Sequence, residues 1–149
     1  MKPPFFFACF LSCLSLAACA PATDTRPGQP VAHRQQAFRE ILKSFEPMGM
    51  ALRENRYDPE TFLRHARALE QQKDAPWPYF GPETNYPPTR SKNAVWSEAA
   101  LFASERDAFL QAVTRLRQAA ETRDEAQARP AYEAVHERCR VCHKAFKSE

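Results

Sequence analysis

Apolar residues step by three and four along most of this chain, and that spacing constrains the fold more than any other feature. Phe38, Ile41, Leu42, Phe45, Met48 and Leu52 trace one helical face over 31–55. Phe62, Ala66 and Leu69 trace a second over 59–73. Asp58-Pro59-Glu60 opens it with a cap, a proline at the first helical position and an acid in the first turn. Phe102, Phe109, Val113, Leu116 and Ala120 predict a third helix over 93–121. Tyr132, Val135, Cys139, Cys142 and Phe146 predict a fourth over 124–147. Pro47, helped by Gly49, predicts a kink in the first, and Pro130 predicts a delayed regular start in the fourth. Four amphipathic segments read as an all-α, antiparallel four-helix bundle over residues 31–149. Three glycines in 149 residues are too few for the hairpins of an all-β alternative.

The longest connection, 74–92, holds prolines 76, 78, 82, 87 and 88, which no helix or central strand survives. Trp77, Tyr79, Phe80 and Tyr86 predict that this loop packs onto something, and long loops in compact domains tend to carry function. The net charge of +3 comes without a basic stripe interleaved with aromatics, which argues against nucleic acid as a partner. A hydrophobic fraction of 44% argues against disorder.

Lys2 followed by an apolar run from Phe5 to Ala18 has the pattern of a secretory signal. Leu16-Ala17-Ala18-Cys19 resembles the bacterial lipobox. That resemblance implies a signal peptide over 1–18, acylation of Cys19, and a tether over 19–30. Pro21, Pro27, Gly28 and Pro30 suggest a flexible, partly extended tether. Ala20, rather than an aspartate, follows the cysteine, which resembles outer-membrane sorting. The expected location is the periplasmic side or the surface of the outer membrane, by a lipid anchor. No apolar span reaches about 20 residues, so no ordinary transmembrane helix is expected.

The chemistry lies at Cys139-Arg140-Val141-Cys142-His143. Cys-x-x-Cys-His is the haem c attachment motif: each thiol adds to a vinyl group, and the adjacent imidazole reaches the iron. On a helix the three side chains stand at about 0°, 300° and 40°, on one face. That face is also the apolar stripe of the fourth segment, so one covalent haem c would enter the bundle. A redox dithiol would need a βαβ context, and a zinc site would need His136 as a further ligand. Met48, Met50 or a histidine could in principle supply a second axial ligand.

With the motif inside the last of four helices, the chain resembles the class II c-type cytochromes, the cytochrome c′ family. Arg34-Gln35, the Trp77–Pro82 stretch and Val95-Trp96-Ser97 are also family-like. The resemblance implies covalent haem on Cys139 and Cys142, with His143 as axial iron ligand. It implies Arg34 and Gln35 against the haem and its propionates, Phe38 on the distal side, and basic Lys147 beside the histidine. Phe38 has no lone pair to donate, where electron-carrying members have a methionine. The implied function is a five-coordinate haem that binds nitric oxide and carbon monoxide and protects against nitric oxide. The alternative is a six-coordinate one-electron carrier serving a redox partner. Catalytic turnover is not expected. Members are often dimeric through their first two helices, so a homodimer is a further expectation.

Overall fold

Two aspartates start two of the helices. The Asp58 carboxylate accepts a hydrogen bond from Thr61 N at 2.8 Å, and Asp124 does the same for Ala126 N at 2.9 Å. The computed structural model describes residues 23–148. They form α1 (Pro30–Arg53), α2 (Pro59–Gln72), a single-turn α3 (Ala94–Ser97), α4 (Ala99–Glu121) and α5 (Glu125–Phe146). Two 3₁₀ turns, Trp77–Tyr79 and Pro82–Thr84, lie in the proline-rich loop. The four long helices make the bundle. Among the described residues no helix is long and apolar enough to cross a membrane.

Three local expectations need correction. The predicted third helix is broken at Glu98 (φ −121, ψ 44). The break turns α3 onto the loop, where Val95 is buried and the Trp96 indole donates to Gly81 O at 2.9 Å. Pro130 does not delay α5, which is helical from its capped start; each internal proline removes one ladder donor without ending its helix. Gly49 serves a close approach: a Cβ there would stand 2.8 Å from Cζ of Tyr132 and nearer still to its hydroxyl.

The core takes Ile41, Phe45, Met48 and Leu52 from α1, and Phe62, Leu63, Ala66 and Leu69 from α2. Phe109, Ala112, Val113, Leu116 and Ala120 come from α4, with Ala128 and Val135 from α5. Each large side chain so buried contributes about 1.5–3 kcal/mol. α4 packs closely on α5, α1 on α2, and α2 on α4, whereas α1 and α5 touch sparsely. Where they do meet, Tyr132 lies over Gly49 and stacks on Phe45 at 4.4 Å. The rest of that seam runs toward the end of the bundle that carries residues 139–143.

The expected flexible tether is shorter than 19–30. Asp24 is only 4% exposed. Its carboxylate accepts from Arg26 N, Val31 N and Ala32 N at 3.1, 2.9 and 3.2 Å, and from the Tyr86 hydroxyl at 3.0 Å. Burial alone would raise its pKa, but the hydrogen bonds outweigh that and hold it below the ordinary carboxylate range. Asp24 thus binds the start of α1 to the loop. The signal peptide, Cys19 and the first part of the tether lie outside the described residues.

Candidate functional site

Cys139, Cys142 and His143 lie within the last two turns of α5. Both cysteines are half-buried free thiols, and Cys139 packs against the core. Burial pushes the Cys139 thiol up to about 11. Burial first, then the neighbouring Cys139 and Glu105, pushes Cys142 up to about 11. Both are therefore neutral thiols at pH 7, unlike the activated thiolates of redox dithiols. His143 is exposed. Partial burial, then the charges of Lys147 and Arg90, lower its pKa and favour the neutral imidazole that ligates metals. Lys147 thus stands beside the histidine. His136 is exposed and stacks on Phe45 at 6.4 Å. Among the described residues no three His, Cys, Asp or Glu side chains converge as a metal-binding group.

The end of α5 is fastened by the loop. Ser91 and Lys147 form an isolated antiparallel bridge. Lys92 N donates to Phe146 O, Ser148 N to Arg90 O, and Lys92 Nζ to Lys144 O, each at 2.8 Å. The two bonds from Lys92 satisfy carbonyls that the helix end leaves open. They also fix the turn that carries His143.

Across the seam, Phe38 lies eight residues into α1 and Cys139 seven residues before the end of α5. Phe45 stacks on Tyr132 and His136, and seven residues from that contact, about 10 Å along each antiparallel helix, carry α1 to Phe38 and α5 to residues 139–143. Phe38 is half-buried. Trp77 meets it edge-on at 5.6 Å and Phe80 at 6.3 Å. Phe102 stands 5.1 Å from Phe80 and 5.2 Å from Phe146, so one aromatic wall runs from α1 through the loop to α5. Met48 lies ten residues beyond Phe38 along α1, about 15 Å away, and is buried in the core. Met50 is 48% exposed.

Arg34 is only 2% exposed. Its Nη1 donates to Tyr79 O at 2.9 Å and Thr84 Oγ1 at 3.0 Å. Its Nη2 donates to Thr84 O at 3.0 Å and Thr89 Oγ1 at 2.5 Å. The guanidinium also lies over the rings of Phe80 (4.8 Å) and Trp96 (5.9 Å). Gln35 Nε2 donates to Pro88 O at 3.2 Å. Both side chains therefore bind the proline-rich loop to α1. Thr84, Thr89, Asp24, Arg90 and Lys92 build this end, and sequence reasoning missed them all. Their partners stand dozens of positions away, with no local motif to signal the pairing.

The donor set fits haem c. Two thiols and an imidazole share one helical face, the imidazole with its lone pair available. They border the seam where α1 and α5 make few contacts, which Phe38 and its aromatic neighbours flank. A family model described as Cytochrome C′ matches residues 29–147. The chain is 32% identical over 126 residues to the cytochrome c′ of Rubrivivax gelatinosus, covering 83% of this chain and 98% of that one. The crystal structure of that protein matches with a TM-score of 0.78 over the same shares. A ferrous variant of the Alcaligenes xylosoxidans protein with bound nitric oxide matches at 28% identity and TM-score 0.78, covering 84% and 98%. A carbon monoxide-bound variant of it matches at 27% identity with the same TM-score and coverage. Fold, motif position and family match agree that this chain belongs to the cytochrome c′ family, whose members carry one covalently attached haem c.

Proposed function

We propose that this chain is a non-enzymatic, gas-binding haem protein with five-coordinate iron, one that captures nitric oxide and limits its toxicity. The observation that carries the reading is Phe38, level with the motif and backed by Trp77 and Phe80. A benzene ring cannot ligate iron, and both candidate methionines lie elsewhere on α1. The nitric oxide and carbon monoxide complexes of the Alcaligenes relative support the same reading.

The bound haem supplies the iron at which a diatomic gas is held. Cys139 and Cys142 fix the group to α5, and His143 offers a neutral nitrogen from the same face. Phe38 would present an apolar ring to the bound group, where it would penalise bulky ligands and keep water sparse. The donors near it, the Arg34 guanidinium and the Trp77 indole, are engaged by backbone and threonine oxygens, which disfavours oxygen relative to nitric oxide and carbon monoxide. Cys19, by its lipobox-like setting, would tether the protein to the periplasmic side or surface of the outer membrane.

The test is the optical spectrum of the haem-loaded protein, ferric and reduced. A broad, unsplit ferrous band of high-spin type is expected, and Phe38→Met should convert it to a split low-spin spectrum. Split bands in the unsubstituted protein would replace gas capture with one-electron transfer. A Phe38→Met protein that stays high-spin would remove Phe38 from the distal side. For the tether, Cys19→Ser should release the protein from membranes; full retention there would refute acylation.

A further inference from the structure

We infer that Arg34 is a positioning residue: by clamping the proline-rich loop it seats Trp77 and Phe80 on Phe38 and so sets how readily a gas reaches the iron. The inference rests on the open-site reading above. Both terminal nitrogens of Arg34 are committed to the loop, two acceptors each, at Tyr79, Thr84 and Thr89. Those acceptors bracket Phe80, which touches both the guanidinium and Phe38. Phe38 sits one turn beyond Arg34 on the same helix, so one side chain holds the loop against the ring that walls the site.

The loop's own links show where the clamp acts. Thr84 Oγ1 also donates to Gly81 O at 2.7 Å, closing the second 3₁₀ turn. Thr89 Oγ1 also accepts from Ser91 N at 3.0 Å, and Ser91 pairs with Lys147 beside the histidine. Arg34 therefore stands at the junction of the aromatic wall and the strap that fixes the end of α5. Slackening the clamp would free Phe80 and let Phe38 swing aside without altering any residue that touches the haem iron.

Flash photolysis of carbon monoxide from the ferrous haem-loaded protein tests this. Thr89→Val keeps the side-chain volume and removes a hydroxyl that accepts from both Arg34 Nη2 and Ser91 N, of which the Arg34 bond is the clamp. One lost hydrogen bond to a charged donor raises the undocked population of the loop roughly tenfold. An association rate limited by undocking rises in proportion. The expected result is a faster association rate with an unchanged five-coordinate spectrum, and Thr89→Ser restores the parent rate. Thr84→Val and Thr84→Ser repeat the comparison should the first valine variant fail to take up haem. Equal association rates in parent and haem-loaded valine variants would overturn the clamp and leave the open-site reading intact. Serine variants as fast as the valine ones would mean general loosening, and would overturn it too. A six-coordinate parent would overturn both readings.

Discussion

The two ends of the bundle are built by different physics. At the end where α1 meets α2 and α4 meets α5, each turn closes on itself, and the links between the two turns are an exposed Arg123–Glu60 pair and a bond from Arg129 to Leu52 O. Asn55 and Arg123 turn the chain in left-handed conformations, and Asp58 and Asp124 cap helices within three residues. At the motif end, hydrogen bonds join residues that are 50, 55, 58 and 62 positions apart, as in Arg34–Thr84, Arg34–Thr89, Arg90–Ser148 and Asp24–Tyr86. A local turn forms with its own helices. A non-local strap must close long loops first, so it forms only once the helices are assembled. The motif end differs in that its connecting loop is itself held in place by such distant partners.

Breaking the motif end at its centre should have the largest effect. Arg34→Ala removes four hydrogen bonds from a buried cation and leaves loop acceptors unpaired, a loss of about 3 kcal/mol or more. Chemical denaturation should show that loss, and gas binding should change with it. A change in stability alone would separate the loop from the site. Breaking the other end should cost less: Asp58→Ala removes an exposed cap worth about 1 kcal/mol. The same denaturation measurement should show that smaller drop, with carbon monoxide kinetics unaltered. Altered kinetics would mean that the two ends communicate.

The smallest effect is a pH dependence. The pKa of Asp24 is lower in the folded protein than in the unfolded chain. Its contribution is therefore complete above the ordinary carboxylate pKa of about 4 and is lost as pH falls through the lower, folded value. Asp24→Asn should be less stable than the parent at neutral pH, and the two should converge in acid. A gap that stays constant across the titration would show that the carboxylate charge is not what holds the segment.

Legibility in the sequence follows the same division. The start of α2 could be read because Asp58, Pro59 and Glu60 are adjacent and each acts within one turn. The motif could be read because its three ligands share one short helical face. The proline-rich stretch could be read as a loop, since proline breaks helices wherever it meets neighbours, but its docking on Arg34 could not. Glu98 gave no warning of a break, because glutamate is a good helix former and the bond from Trp96 to Gly81 O that accompanies the break spans 15 positions. Asp24 was hidden among prolines that suggest a free tether, and its partner Tyr86 lies 62 positions away in the proline-rich loop. Gly49 looked like an aid to bending; what it accommodates is a tyrosine from a helix more than eighty residues later.

The docking of Asp24 has a consequence for orientation. Cys19 is five residues before it, so fully extended chain could span at most about 17 Å between an acylated cysteine and the folded body. The attachment point lies at the end where α1 starts and α5 finishes. A lipid anchor there would therefore hold the haem end toward the bilayer and turn the α1–α2 connection outward. Molecules arriving through the membrane would then meet the binding end first, whereas a soluble partner would have to approach it from the side.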